Sequence, residues 1–220
     1  HVMSCKQVTD VSPFAHCLLE LDASWYCCRS GNFYCGIGSA ALSDCRRLQV
    51  LNADRNAKIT TLQPFAQRLR ELNAGDHSSA LNDAALADAT GLVSLVAQWN
   101  RAITTVAPFG ASLRRLDARS SRIGDAGLVT ATNLVSLDAS GNDHIRSLAP
   151  FCASLLELHI YGRSISQTAL AAATNLIWLD VSDNKRITTV QSCGPSLRHL
   201  VAGGEDCALT NEGLCTATQL

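Results

Sequence analysis

The 220-residue sequence predicts an α/β solenoid: a curved horseshoe with a parallel β-sheet of nine or ten short strands on its concave side. Short helical or 3₁₀ segments are expected on the convex side. Three observations support this fold class: a leucine motif recurs at near-constant intervals, residues within the motif alternate between apolar and polar, and two kinds of unit follow one another in strict alternation. Each unit of such an array buries its apolar face against its neighbours.

The strand of each unit has the pattern Leu-x-x-Leu-x-(Ala/Val/Ile). After a first interval of 30 residues, the first leucine of this pattern recurs every 21 or 23 residues. Because successive residues of a strand face opposite sides of a sheet, Leu116 and Ala118 are predicted to point inward, and Arg115, Asp117 and Arg119 outward. The first leucines are Leu18, Leu48, Leu69, Leu92, Leu113, Leu134, Leu155, Leu176, Leu197 and Leu220.

Two kinds of return segment alternate along the chain. One has an Ile-Thr-Thr step followed by Pro-Phe, as in residues 103–109. Proline lacks an amide donor, so this kind predicts a 3₁₀ or extended return. The other kind is rich in alanine, as in residues 84–89 and 169–173, and favours one or two helical turns. Large core side chains are expected at one position of the Pro-Phe units, namely Phe14, Phe65, Phe109 and Phe151.

Asparagine recurs in every second unit, eight residues after the first leucine. A buried asparagine there can bond backbone groups of the adjoining turns. The asparagines are Asn56, Asn100, Asn142 and Asn184, and the alternate units have His77, Ser121, Arg163 and Glu205 instead. We therefore expect the alternate turns to be looser, with water or serine hydroxyls completing their hydrogen bonds.

These motifs resemble the leucine-rich repeat superfamily over residues 8–220. The resemblance rests on Leu134-x-x-Leu137-x-Ala139-x-x-Asn142-x-x-Ile145 and its copies. The alternate units, such as Ile123-x-Asp125-x-Gly127-Leu128, are similar to shortened cysteine-containing-type repeats of protozoan and bacterial proteins. The resemblance implies a curved solenoid that binds another macromolecule on its concave face. The sequence departs from the usual pattern where alanine replaces the last leucine and where every second asparagine is missing.

A single repeat domain is expected over residues 1–220. The chain begins within one unit and ends at the first leucine of another, and neither end shows the polar cap typical of terminal repeats. We expect either a piece of a longer array, with flanking repeats of the same parent protein, or open ends that are covered by neighbours. A cysteine-rich insertion at about residues 24–36 explains the long first interval.

The insertion predicts either a contact loop or a loop packed by its own aromatic side chains. These are Trp25, Tyr26, Phe33 and Tyr34. Four cysteines in or near the loop could be free thiols, disulfide-bonded or metal-bound: Cys27, Cys28, Cys35 and Cys45. No Cys-x-x-Cys pair occurs, which argues against structural zinc, and we predict neither a metal site nor a cofactor.

Composition limits the partner class and the compartment. The net charge is −1 and the basic residues are dispersed, which argues against a nucleic-acid partner. No apolar run approaches the roughly 18 residues needed to span a membrane. No Asn-x-Ser/Thr glycosylation site occurs, and scattered cysteines in a chain of this length are expected to be reduced. The sequence therefore favours a cytoplasmic location.

The outward strand positions form the candidate partner-binding face. Exposed tryptophan, tyrosine and arginine are enriched at interface hot spots, and several aromatic and histidine residues fall in adjoining units. Alternatively, the outward acidic residues only make the sheet soluble. The predicted partner-binding residues are Arg115, Arg119, Asp138, Glu157, His159, Tyr161, Trp178, Asp180 and His199.

Enzyme signatures are absent from the sequence. It has no phosphate-binding glycine loop, no His-Glu-x-x-His and no Gly-x-Ser-x-Gly, so we predict no catalytic residues. The preferred interpretation is a non-catalytic protein-binding scaffold. Two alternatives stay open: the substrate-receptor part of a ubiquitin-ligase-type protein, which needs an adaptor-binding helical segment, and a surface adhesin with disulfides.

Overall fold

Nine strands form one parallel sheet in chain order, in a computed structural model that describes residues 7–25, 35–162 and 165–220. The sheet is the concave side of a solenoid, and the strand number is within the predicted range. The strands are β1 Glu20–Asp22, β2 Val50–Asn52, β3 Glu71–Asn73, β4 Ser94–Val96, β5 Arg115–Asp117, β6 Ser136–Asp138, β7 Glu157–His159, β8 Trp178–Asp180 and β9 His199–Val201.

Equivalent residues of successive units lie side by side in the sheet. Leu116 of β5, for example, pairs with Leu137 of β6. Leu116 and Ala118 are buried whereas Arg115 and Arg119 are exposed, which confirms the predicted alternation. The outward residues therefore form three columns across the concave face: the first residue of each strand, the third residue, and the residue two positions after the strand ends.

The return segments follow the predicted division between the two kinds of unit only in part. One-turn α-helices lie in the alanine-rich units: α1 Asp83–Leu86, α2 Asp125–Leu128 and α3 Gln167–Leu170. Asn82 caps α1, because its side chain accepts a hydrogen bond from the N–H of Ala85 at 3.0 Å. Turns of 3₁₀ helix occur in both kinds of unit, so they are not confined to the Pro-Phe units. They lie at Ser12–Phe14 and Ala66–Arg68 in Pro-Phe units, and at Ser39–Leu42 and Glu212–Leu214 in alternate units.

Phenylalanine fills the core in three of the four predicted places. Phe65, Phe109 and Phe151 are buried. Phe14 is 61% exposed, so its predicted burial is wrong. Phe14 lies in the first turn of the described structure, where no described turn covers its outer side. Cys193 takes the equivalent position in a later unit, and burial raises the pKa of its thiol to about 11.

Each recurring asparagine bonds the turn that precedes it. The amide nitrogen of Asn100 donates to the carbonyls of Ala74 (2.8 Å) and Leu81 (3.1 Å). Its oxygen accepts from the N–H groups of Ala102 (2.8 Å) and Ile103 (3.2 Å) in its own turn. Equivalent bonds to the preceding turn are made by Asn56, Asn142 and Asn184. Each asparagine therefore serves two turns, and the alternate turns receive hydrogen bonds from the asparagine of the turn that follows them.

The turns without asparagine bond the following turn in return. One carboxylate oxygen of Asp83 accepts from the N–H groups of Thr104 (2.8 Å) and Thr105 (3.3 Å). The equivalent amides of other turns are bonded by Ser39, Asp125 and Gln167. A turn without asparagine and the turn after it are thus joined in both directions. We call such a pair a doublet, and beyond the insertion it spans 42 to 44 residues.

A two-residue insertion displaces one position that the sequence assigned to His77. Ser79 is buried instead, and its hydroxyl accepts from the N–H of Leu81 at 3.4 Å. The hydroxyl of Ser121 accepts from Ile123 in the same way at 3.3 Å. His77 is exposed. The serine hydroxyls expected in the alternate turns are confirmed, but the fixed count of eight residues fails in this longer unit.

From the second strand onward, each described turn leaves the sheet through one residue in the left-handed backbone region. This residue lies seven positions after the first leucine of its unit. Its φ is positive in Arg55, Asp76, Trp99, Ser120, Gly141, Gly162, Asp183 and Gly204. Glycine adopts this region without strain, whereas a bulky residue there is unusual. These residues line the carboxyl edge of the sheet, and we call them the rim.

Candidate protein-binding face

The structure divides the nine predicted contact residues into two groups on the concave face. Arg115, Arg119 and Asp138 belong to β5, β6 and the residues that follow β5. The remaining six belong to β7, β8, β9 and the residue two positions after β7: Glu157, His159, Tyr161, Trp178, Asp180 and His199. The two groups differ in what their side chains contact.

The arginine group is largely neutralised by ion pairs. Arg119 Nη2 lies 2.6 Å from Asp117 Oδ2, and Arg119 Nε lies 3.2 Å from Asp138 Oδ2. The hydrogen bond to Asp117 raises the pKa of the Arg119 guanidinium. Arg115 Nη2 lies 3.5 Å from Glu71 Oε1, two strands away. Exposed pairs of this kind contribute about 0–1 kcal/mol to stability.

The second group is built around a stack of three rings. The Trp178 ring lies between two imidazoles, with centroids 5.0 Å from His199 and 6.2 Å from His159. The interplanar angles are 27° and 33°. We call His159, Trp178 and His199 the Trp178 stack. Trp178 is 37% exposed, so much of the indole stays available to a partner.

Carboxylates hold His159 within the stack. Nε2 of His159 lies 3.0 Å from Glu157 Oε1, and Nδ1 lies 3.9 Å from Asp180 Oδ2. The hydrogen bond with His159 holds the pKa of Glu157 below its usual value, against the opposing effect of burial. The imidazole orientation is therefore fixed by its neighbours.

The column formed by the third residue of each strand, which is often Asp or Asn, has a structural role that the sequence did not reveal. Oδ1 of Asp138 accepts from the N–H of Ser140 at 2.9 Å, and Oδ1 of Asp180 accepts from Ser182 at 2.9 Å. Asn52 and Asn73 accept equivalent bonds. The third strand residue thus ends the strand through an Asx turn. The recurrence of Asp or Asn at this position is the sequence signal that could have predicted the Asx turn. That Asp138 and Asp180 contact a partner stays a prediction.

Tyr161 extends the second group to the rim. It is 52% exposed and lines a cleft of about 510 Å³ with Asp183, Glu205 and Asp206. A hydrogen bond to Asp183 raises the pKa of its phenol. Lys185 Nζ lies 2.7 Å from Asp206 Oδ1. The surface next to the Trp178 stack is therefore acidic.

The insertion loop falls mostly outside the described residues, as do Tyr26, Phe33, Tyr34, Cys27 and Cys28. Trp25 is half-buried, and its backbone N–H donates to the carbonyl of Asp54 at 2.9 Å.

Cys35 and Cys45 are buried, and burial raises the pKa of the Cys45 thiol. In the part of the chain that the structure describes, no group of three His, Cys, Asp or Glu side chains could hold a metal ion. Over the same residues, no helix has both the length and the apolar character of a membrane span.

Comparison with known proteins supports the fold. No protein-family model matches the chain, and no curated protein matches it in sequence. An internalin (InlF) from Listeria monocytogenes is structurally similar, with 18% identity and a TM-score of 0.52 over 96% of this chain and 76% of that one. A TLR13–ssRNA13 complex is similar with 19% identity and a TM-score of 0.56, over 82% of this chain and 28% of that one. The chain has the leucine-rich repeat fold that its motifs predicted.

Proposed function

We propose that the chain is a non-catalytic scaffold that binds another protein through its concave face, with the Trp178 stack as the main contact. The observation that carries this proposal is a partly exposed indole, on a paired strand, that lies between two imidazoles. Aromatic side chains of this kind dominate the binding energy of protein interfaces. β8 pairs with β7 and β9, so little conformational freedom is lost when a partner binds.

The charge pattern of the face favours a protein partner. The TLR13 structure contains single-stranded RNA, but several carboxylates interrupt the cationic groups on this concave face, among them Asp138, Glu157 and Asp180. Such carboxylates repel a phosphate backbone, whereas a protein can present both signs of charge. The Arg119 ion pairs would then form part of the polar surroundings of the contact.

Replacing Trp178 with alanine is expected to weaken partner binding by more than about 1 kcal/mol, or roughly fivefold, because the exposed indole supplies the apolar contact. The partner is first isolated with the wild-type chain, purified, and titrated by calorimetry. Trp99→Ala, which removes an exposed tryptophan from the rim, is the matched control and should change the affinity less than twofold. Equal affinities of wild type and Trp178→Ala, with both proteins folded, would remove the Trp178 stack from the proposal.

We also propose a cytoplasmic location with reduced thiols. Six described cysteines are free, including the buried Cys45 and Cys193: Cys17, Cys45, Cys152, Cys193, Cys207 and Cys215. Protein isolated from its own cells, with thiols blocked at lysis, is expected to show ten blocked cysteines by mass spectrometry. Any cysteine found in a disulfide would instead favour an oxidising compartment.

A further inference from the structure

Trp99 is exposed at a rim position that does not favour tryptophan. Its φ is 60°, in the left-handed region, and 54% of its surface is exposed. A bulky residue in this backbone region is strained, and an exposed indole gains little from packing. Glycine takes the equivalent position in three other turns. Neither the backbone nor the core of the repeat explains a tryptophan here.

The indole lines a cleft of about 400 Å³ that crosses three turns. Arg101 and Arg122 occupy equivalent positions in adjacent turns, and both are exposed. Within the described ranges, neither guanidinium lies within 4.0 Å of a carboxylate, unlike those of Arg55 and Arg119. The other lining residues are Ser120, Ser121, Gly141, Asp143 and His144. The cleft thus combines one flat apolar surface with two cationic groups.

The geometry points to a binding site for a nucleoside monophosphate in this cleft. The base stacks on the Trp99 indole, as bases stack on exposed aromatic side chains of other proteins. The phosphate oxygens accept from the guanidinium groups of Arg101 and Arg122, whose turns are about 4.8 Å apart at the sheet. The ribose hydroxyls donate to the Asp143 carboxylate.

The cleft fits such a ligand better than an acidic peptide. Its volume falls within the 300–1,000 Å³ common for small-molecule sites. Asp143 lines the same cleft, and its carboxylate can accept hydrogen bonds from the ribose hydroxyls, which an acidic peptide lacks. This site is separate from the Trp178 stack and does not depend on the proposed scaffold function.

Calorimetric titration of the whole chain with AMP tests the proposal. We expect saturable binding, with adenosine and inorganic phosphate each binding at least about tenfold more weakly than AMP, because each lacks one of the two contacts. Trp99→Ala and Arg122→Ala should each weaken AMP binding by about tenfold or more, and Trp99→Phe should retain part of it. Arg186→Ala removes an exposed arginine from another turn, so it and Trp178→Ala should change AMP affinity less than twofold.

Four results would overturn the proposal. They are no heat of binding with millimolar AMP, unchanged AMP affinity in a folded Trp99→Ala variant, inorganic phosphate that binds as tightly as AMP, or a peptide of alternating Asp and Phe that binds more tightly. The scaffold proposal is tested separately, because Trp178→Ala affects the protein partner and leaves AMP binding unchanged.

Discussion

Replacing Asn142 with alanine is expected to lower the free energy of unfolding by about 3–5 kcal/mol. Its amide nitrogen donates to the carbonyls of Ala118 (2.9 Å) and Ile123 (3.1 Å) and to the Ser121 hydroxyl (3.2 Å). Its oxygen accepts from the N–H of His144 at 2.9 Å. Alanine would leave these buried groups of two turns without partners, and each such group costs about 1–3 kcal/mol.

Urea unfolding followed by circular dichroism measures this effect. Asn133→Ala is the matched control, because Asn133 is exposed and donates one hydrogen bond, to the carbonyl of Ala111 at 3.0 Å. That variant should lose less than about 1 kcal/mol. If the two variants lost equal stability, the bonds between turns would not be the reason why asparagine recurs.

Replacing Phe109 with alanine is expected to cost about 3–5 kcal/mol, the range for a fully buried phenylalanine. Phe109 is 1% exposed and lies where the neighbouring turns have small residues, so its removal leaves a cavity in the stack. Thermal and urea unfolding both measure this loss.

Phe14→Ala is the natural comparison for this variant. The same residue type occupies the equivalent position in an earlier unit, but it is 61% exposed. Its replacement should change stability by less than about 1 kcal/mol, because little apolar surface is removed from the core. Similar losses in the two variants would contradict the interpretation that Phe109 is a core residue and Phe14 is not.

The regular parts of the fold follow directly from residue periodicity. The leucine spacing predicts strand number and register, because each repeated side chain must reach the same core. The alanine-rich and Pro-Phe segments predict helical and 3₁₀ returns for the same local reason. The exposure of Phe14 could not be derived in this way, since it depends on whether a further turn covers this residue.

The role of the recurring asparagine could be predicted from the sequence only in part. That Asn100 is buried and bonds the backbone follows from its recurrence, but the carbonyls it reaches belong to the preceding turn. Residue counting also failed at Ser79, because a two-residue insertion moves the equivalent position. Long-range hydrogen bonds require a three-dimensional register that a one-dimensional count does not contain.

The candidate site was predictable as a set of outward residues but not as an arrangement. Alternation predicts that Trp178 faces outward, yet it does not predict that two imidazoles stack against it or that Arg119 pairs with Asp117 and Asp138. Trp99 was missed because its left-handed backbone is set by its place in the turn rather than by residue type. Among the described residues, five of the eight with positive φ are not glycine.

The doublet has a consequence for how the array can change in length. Removing or duplicating one turn would place two asparagine-free turns together, or two asparagine turns, and the donors and acceptors at the new junction would no longer match. If two adjacent turns are gained or lost together, every junction still joins a turn with asparagine to a turn without it. The number of turns gained or lost during evolution of this protein is therefore expected to be even.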